Sequence, residues 1–574
     1  MIALKKTIAA WVKKIASCYT EKNNYPSYLP VLTLVGFAIA VGLIFLSNTL
    51  YVSYPDEFIN LLGAKAVLAG KVPYKDFFDH HLPFAWYFGA LILLFSFKSY
   101  ILFRVIWAAV IFASFVKLGL YIRQRNRELF PYYLLFTFFY PLVAVYFWLH
   151  LFLSDSLVFW LFSLLFWVLI TEHLQKETNQ KTLLLAIFLN FCFFFSSMTY
   201  VFVVGVIYLW ILYLLLRNKK WDWHKLAKYL LIIASPYVVY VVYLFISGSL
   251  KDFYMSNFYY NTKLYIDIPN YTRGPMFNPF KFLLTIIFNF YQGYLPLLTK
   301  IKFLDLYLPI VITLGLGSFL FLFFLFFKDK LLFIIGFIIL SLSAPRSNVY
   351  NLDERNYQAS LFVAFALIAV CLVFYLANDA KIKDKLSEQF SRAGITLLYL
   401  LTLFSAMFLS NYSFERFYLR YTQKMPGIYD QSFTTMFLDE ILVAGDTYWV
   451  GPYEPHETFF MNKTKSIGKY PSLLPQFRED DYFKNSFLDG FKKELPTVII
   501  YKEQASIFNT PSLEFGKFFL EWVREHYVRV DALTDYKAVR SPTSFDIKSD
   551  LFIEKSKVSL IQERLIERGY LEKN

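Results

Sequence analysis

The chain has 574 residues, of which 57% are hydrophobic and 21% aromatic, and its formal net charge is +14. This apolar share exceeds the roughly 45–50% that is typical of soluble domains, so we expect much of the chain to face lipid. Lysine and arginine cluster between apolar segments, which indicates cytoplasmic loops and argues against nucleic-acid binding. The three cysteines form no CxxC or Cys/His pattern, which argues against a zinc-cysteine site.

Apolar segments predict about eleven crossings of a plasma (inner) membrane, since a crossing needs roughly 20 residues. Residues 1–27 are a basic cytoplasmic segment that lacks a signal-cleavage site, and residues 28–411 form the membrane domain. The basic loops place the N-terminus inside and the C-terminus outside. The predicted crossings are 28–50, 100–122, 129–149, 155–171, 182–198, 200–216, 229–247, 303–327, 331–344, 357–377 and 394–411.

Two further apolar stretches, 82–97 and 281–298, are predicted to lie along the outer face as juxtamembrane helices. If 82–97 crossed the membrane, the basic loop Arg123–Arg127 would face outward, against the usual charge asymmetry. Residues 51–81 between the first crossing and this helix are expected to form a mixed loop.

The C-terminal part, residues 412–574, is polar enough to form a small extracytoplasmic α/β domain. Alternating apolar residues predict strands at 446–451 and 497–501, and a helical pattern covers about 511–526. The fold class is therefore an α-helical polytopic membrane protein with an α/β domain on its outer face.

Ionisable residues stand in the predicted outer loops, where charge near a bilayer is costly unless it is paired or hydrated. Each could be a solvated loop charge, but four separate segments on one face favour a shared cavity. The groups are Asp56-Glu57, then Asp76 with Asp79, His80 and His81, then Asp155, and finally Arg346, Asp353, Glu354 and Arg355.

The Asp56-Glu57 pair directly follows the first crossing. Two adjacent carboxylates can supply a base of raised pKa or hold a divalent cation, and Asp56 can also cap a following helix. His80 and His81 end the stretch Gly70–Pro83 and are candidates for metal ligands, phosphate partners or proton carriers. Asp155 is expected to open the fourth crossing.

These residues resemble the GT-C superfamily of membrane glycosyltransferases, in particular the branch of protein O-mannosyltransferases and lipid A aminoarabinose transferases. The likeness rests on the acidic pair after the first crossing, on Gly70–Pro83 as a G-x-x-P-Y-x-D-F-F-x-x-H-x-P-like stretch, on Arg104, and on Asp155. The segment 448–455 is similar to the outer domain of bacterial members. Where relatives have His-Pro-Pro or Glu-x-Pro, this chain has His80-His81-Leu82-Pro83.

The resemblance implies transfer, with inversion, of a sugar from a polyprenyl-phosphate donor to a glycan, lipid or protein acceptor on the extracytoplasmic side. It implies Asp56 as the base or acceptor-orienting carboxylate, Glu57 as its support, and Asp155 as a further catalytic group. The groups expected to contact donor or phosphate are Arg104, Arg346, Arg355, His80, His81 and Tyr74.

A divalent metal at Asp56, Glu57 and His81 is compatible with this site, but no cofactor is required. Arg104 could instead anchor its helix at the interface. Two other functions stay open from the residues alone. A transporter or flippase for a lipid-linked substrate would also need many crossings, although its site is usually near mid-membrane. A non-catalytic membrane scaffold would display the C-terminal domain.

Overall fold

The computed structural model describes residues 29–97, 99–217, 222–265, 308–343, 355–377, 388–423, 433–461, 465–466, 468–533, 535–542 and 544–573. The chain is mostly helical, and a small sheet region lies towards its C-terminal end. The predicted juxtamembrane helix 281–298 and the predicted phosphate ligand Arg346 lie outside the described residues.

Apolar helices make up the part that precedes the sheet. They are α1 (Leu29–Asn48), α2 (Pro55–Leu68), α3 (Phe84–Phe95), α4 (Tyr100–Arg125), α5 (Phe130–Tyr146), α6 (Ser154–His173), α7 (Gln180–Ser196), α8 (Val201–Leu216), α9 (Trp223–Ile246), α10 (Leu308–Lys328), α11 (Lys330–Leu342), α12 (Ser360–Leu376) and α13 (Glu388–Gln423). After α9, a short turn Leu250–Phe253 leads into the π-helical segment Tyr254–Leu264.

Seven described helices are long and apolar enough to cross a membrane, and five shorter apolar helices have 10–17 residues. Four of the shorter helices coincide with predicted crossings. Because these segments, at 10–17 residues, are shorter than the roughly 20 residues that a crossing needs, the count of eleven crossings stays a prediction. The fifth, Phe84–Phe95, is only 12 residues long, in keeping with the predicted juxtamembrane helix.

Two boundaries differ from those predicted. Residues 55–68 are helical rather than part of a mixed loop, because Pro55 opens α2 and Asp56 and Glu57 fill its first turn, where the helix dipole favours carboxylates. This helix packs closely on α3, where a Cβ at Gly63 would meet the Trp86 indole at 2.5 Å. The last helix, α13, continues to Gln423 instead of ending at 411.

The basic helix ends that were predicted to share one side do lie together. The buried Glu172 carboxylate at the end of α6 accepts a hydrogen bond from Arg125 Nε at 3.1 Å. Arg217 at the end of α8 donates to the carbonyl of His173 at 2.8 Å, and His173 Nε2 lies 2.7 Å from Asp329 between α10 and α11. This network ties the ends of α4, α6 and α8 to the connection between α10 and α11. It lies at the end of α6 opposite Ser154.

The C-terminal domain is built on a five-stranded mixed sheet, and both predicted strands and the predicted helix are confirmed. The strands are β1 (Thr447–Gly451), β2 (Lys465–Ser466), β3 (Val498–Tyr501), β4 (Ser506–Ile507), β5 (Thr510–Pro511), β6 (Tyr527–Arg529), β7 (Tyr536–Ala538), β8 (Leu551–Glu554) and β9 (Leu571–Lys573). The strand order is β2-β1-β3-β8-β6, in which β1 is parallel to β2 and β3, and β8 is antiparallel to β3 and β6. A hairpin β4–β5 and a pair β7–β9 lie outside this sheet.

Helices cover both faces of this sheet. Alternate residues of each strand point to opposite faces, so each strand contributes to two apolar cores. Trp449, Ile499 and Tyr501 enter one apolar core, whereas Val450 and Ile500 enter the other. The helices are α14 (Phe433–Ile441), α15 (Pro455–Phe460), α16 (Asp481–Lys493), α17 (Ser512–Phe515), α18 (Lys517–His526), α19 (Ile547–Asp550) and α20 (Val558–Glu567).

Aromatic contacts at two places help to dock the domain on the helix bundle. Phe78, from the loop before α3, is buried in the aromatic core of the domain, 4.9 Å from the Tyr470 ring and 5.3 Å from that of Phe477. Its N–H donates to the carbonyl of Lys469 at 2.9 Å. Helix α15 lies on α2, with the Phe459 ring 5.5 Å from that of Phe58. These contacts leave a space between the two parts of the chain.

Candidate functional site

A cavity of about 530 Å³ lies where the C-terminal domain meets the helix bundle. Its wall on the bundle side is formed mainly by Tyr54, Asp56, Asp79, His80, His81, Ser154, Asp155, Tyr265, Tyr357 and Gln358. Its wall on the domain side is formed mainly by Tyr453, Glu454, Ser472 and residues 505–508. Three carboxylates from separate segments, those of Asp56, Asp79 and Asp155, therefore face one space, in agreement with the prediction of a shared cavity.

Asp56 is held by hydroxyl groups from both walls. Tyr357, just before α12, donates to Asp56 Oδ2 at 2.9 Å, and Tyr453 of the C-terminal domain donates to Oδ1 at 2.6 Å. Burial and the Asp56 carboxylate together raise the pKa of Tyr453, so this phenol remains a donor. The two bonds fix the orientation of a carboxylate that is still partly open to the cavity.

Glu57 points the other way, into the protein. Its carboxylate is fully buried and accepts from Tyr100 Oη at 2.6 Å, from Arg104 Nη2 at 2.8 Å and from the Phe152 N–H at 3.0 Å. Arg104 also donates to the carbonyls of Thr49, Tyr51 and Val52, which follow α1. Neither residue lines the cavity. Glu57 was expected to support Asp56, and Arg104 was expected to contact phosphate. We correct both expectations, because the two residues form a structural ion pair with each other.

Asp79, His80 and His81 form a compact group on the bundle wall. His81 Nδ1 lies 2.7 Å from Asp79 Oδ1, and the His80 and His81 rings are 4.1 Å apart between centroids. Burial by itself would raise the pKa of Asp79, but His81 and His80 outweigh it and lower that pKa below its usual value. Asp79 is therefore ionised beside two histidines.

This group fits a divalent cation. Ligand atoms of its three residues lie within 4.8 Å of one another, and Asp79 Oδ2 is buried without a hydrogen-bond partner among the described residues. A carboxylate with two imidazoles is a donor set that suits zinc and related divalent ions. The predicted set of Asp56, Glu57 and His81 does not fit, because both Glu57 oxygens are already engaged.

Asp155 lies in the first turn of α6, as predicted, and is 4% exposed. Ser360 at the start of α12 donates to its Oδ1 at 3.4 Å. The adjacent Ser154 hydroxyl is buried and has no hydrogen-bond partner among the described residues. This end of α6 thus offers the cavity a carboxylate and a free hydroxyl.

Two other predicted residues lie away from the cavity. Tyr74 is fully buried against the Trp86 indole, and its hydroxyl donates to the His81 carbonyl at 2.9 Å, so it shapes the loop rather than contacting a substrate. Arg355 is exposed, and its guanidinium lies 5.2 Å from the Trp148 ring centre. Neither is among the residues that line the cavity.

Residues that sequence reasoning missed come mostly from the domain wall. Tyr453 and Glu454 lie in the segment 448–455, which is similar to the outer domain of bacterial GT-C members. Nothing in the sequence around these two residues indicates a contact with Asp56. Glu454 is paired with Lys502 at 2.7 Å, and it forms a second acid–histidine group with His456 and Glu457. Ser472 is 5% exposed, and its hydroxyl has no partner among the described residues.

Comparison with known proteins identifies no relative of this chain. No protein-family model, no curated protein and no solved structure matches it. The likeness to GT-C glycosyltransferases therefore rests on the sequence motifs alone.

Proposed function

We propose that this protein is a membrane glycosyltransferase of GT-C type, which moves a sugar from a polyprenyl-phosphate donor to an acceptor on the extracytoplasmic side. One observation carries the proposal: Asp56, Asp79 and Asp155, from three separate segments, face one cavity at an end of a bundle of apolar helices. A donor of this kind has a lipid tail and a charged head, so its reacting carbon must lie where a membrane domain meets water.

In this reaction the acceptor hydroxyl oxygen bonds to the anomeric carbon while the bond from that carbon to the phosphate oxygen breaks. The acceptor proton passes to the Asp56 carboxylate, and the polyprenyl phosphate leaves with the electron pair. Asp56 suits this role because Tyr357 and Tyr453 hold one orientation of its carboxylate. A general base in the right place contributes roughly 10²–10⁴-fold to such a step.

The departing phosphate needs positive charge, since charge builds on its oxygens in the transition state. When protonated, His80 and His81 can supply this charge from the described cavity wall. If Asp79, His80 and His81 instead bound a divalent cation, both imidazoles would be neutral ligands and the cation would supply Lewis-acid charge at the same place. Asp155 and the Ser154 hydroxyl, which has no partner among the described residues, lie on the same wall and are suited to orient sugar hydroxyl groups.

The test uses the full chain reconstituted in liposomes with a panel of short-chain polyprenyl-phosphate sugars and candidate acceptors. We expect the wild type to transfer at least one sugar, and Asp56→Asn to lower kcat by about 100-fold or more. Asp76→Asn is a matched control, because Asp76 is exposed on the neighbouring loop and does not line the cavity. Full transfer by Asp56→Asn would refute the mechanism, and no transfer from any donor would favour a transporter.

A further inference from the structure

The hairpin β4–β5 brings an exposed aromatic ring to the domain side of the cavity. Ser506 and Ile507 pair with Pro511 and Thr510, and residues 505–508 line the cavity together with Asp56. The two tip residues, Phe508 and Asn509, have φ values of 50° and 62°. Positive φ at both central residues matches the twist of a two-residue hairpin loop.

Phe508 is an unfavourable residue for this position. Asparagine adopts positive φ readily, but a bulky side chain there is strained, and glycine would be the ordinary choice. Phe508 is 43% exposed, so only part of its surface is buried. It meets the Tyr265 ring edge to face, at 6.1 Å and 83°, beside the cavity that both residues line. Strain that packing does not offset is typical of a ligand-binding position.

A hydroxyl group and a carboxylate lie on the same wall. Ser472 is 5% exposed, lines the cavity, and its hydroxyl has no hydrogen-bond partner among the described residues. Buried polar groups normally have partners, so this hydroxyl is suited to a ligand. The Glu454 carboxylate, fixed by Lys502 at 2.7 Å, also lines the cavity.

An open aromatic face beside a hydroxyl and a carboxylate fits a pyranose ring. The C–H face of a sugar carries positive partial charge and packs on the negative face of an aromatic ring. Its hydroxyl groups can then bond to Ser472 and Glu454, because ligand sites combine apolar faces with a few well-placed polar groups. A polyprenyl tail would offer no hydrogen bond to the Ser472 hydroxyl, which has no partner among the described residues.

We propose that the domain wall of the cavity is a saccharide-binding site, and that the acceptor is a glycan whose terminal ring stacks on Phe508. This proposal rests on the proposed function, and it assigns the donor to the bundle wall and the acceptor to the C-terminal domain. It also gives the domain a specific task, which is to present a sugar hydroxyl to Asp56.

The experiment measures binding of labelled oligosaccharides to the full chain in nanodiscs, and KM for donor and acceptor where transfer occurs. We expect Phe508→Ala and Phe508→Gly to weaken oligosaccharide binding about three- to tenfold and to leave the donor KM unchanged. Phe508→Tyr keeps the ring and should bind like the wild type. Phe433→Ala is the control, since Phe433 is 49% exposed on the same domain but does not line the cavity.

Phe508→Gly separates binding from folding, because glycine adopts the tip conformation without strain and should not lower the thermal stability. Loss of stability without loss of binding would overturn the proposal, as would unchanged binding in Phe508→Ala, preference for a peptide acceptor, or no oligosaccharide binding by the wild type. Oligosaccharide binding that needs Phe508, in a protein that transfers no sugar, would support the saccharide site and refute the proposed transferase function.

Discussion

Replacing Arg104 by methionine tests whether this residue is structural or binds the donor. Arg104 is 2% exposed and Glu57 is fully buried, with 2.8 Å between Nη2 and Oε2. Loss of the guanidinium leaves a buried carboxylate whose remaining donors are Tyr100 and the Phe152 N–H. Breaking a buried pair in this way costs about 3–5 kcal/mol, so we expect the free energy of unfolding of Arg104→Met to fall by that amount.

The double variant Glu57→Gln/Arg104→Met should regain only part of the lost stability, because no uncompensated charge remains but the carbonyls of Thr49, Tyr51 and Val52 still lack the Arg104 donor. The measurement is equilibrium unfolding in mixed micelles, followed by the fluorescence of the 11 tryptophans. The reasoning would be refuted if Arg104→Met kept its stability and raised the donor KM. That result would restore the phosphate contact implied by the GT-C resemblance.

Two further predictions concern the C-terminal domain. Burial alone would lower the pKa of His456, but Glu457 and Glu454 outweigh burial and raise this pKa above the usual 6.5. The charged His456 therefore stabilises the fold fully below pH 6.5, and this stabilisation is lost as pH rises through the higher pKa of the folded state. The difference in unfolding free energy between wild type and His456→Gln should therefore shrink as the pH rises above 6.5, and a constant difference would contradict this assignment. At Gly516 a Cβ would overlap the Tyr501 hydroxyl and lie 2.7 Å from the Ser512 carbonyl, so Gly516→Ala should cost about 1–3 kcal/mol in a thermal unfolding assay. Gly205→Ala in α8, where a Cβ meets nothing within 4 Å, should cost nothing, and equal losses in both variants would exclude the proposed overlap.

The sequence predicted those parts of the fold whose signal is local. Hydropathy located the helices of the bundle, and alternating apolar residues located β1 and β3. Residues 55–68 were missed because Asp56, Glu57 and Lys65 interrupt the apolar pattern of α2, which is stabilised instead by packing on α3 and α15. Helix α13 extends past 411 because polar residues after that position end the membrane signal without ending the helix.

The candidate site was predictable in part, since Asp56, Asp155, His80 and His81 all line the cavity. The roles of Glu57 and Arg104 could not be read from sequence, because adjacent residues on a helix point in different directions and the pair is 47 residues apart. Charge alone does not distinguish an arginine that binds phosphate from one that is buried in an ion pair. The Tyr453 contact depends on how the whole C-terminal domain docks.

The hydrogen bond from Tyr453 to Asp56 joins residues 397 positions apart. A ribosome makes Asp56 early, but the second wall of the cavity does not exist until most of the remaining chain has been synthesised and folded. A nascent or truncated chain that ends before residue 453 would therefore carry the carboxylate with one of its two phenol partners and no domain wall. If the proposed transferase function holds, this order would keep unfinished chains from consuming a lipid-linked sugar, and activity would report complete biogenesis of the protein.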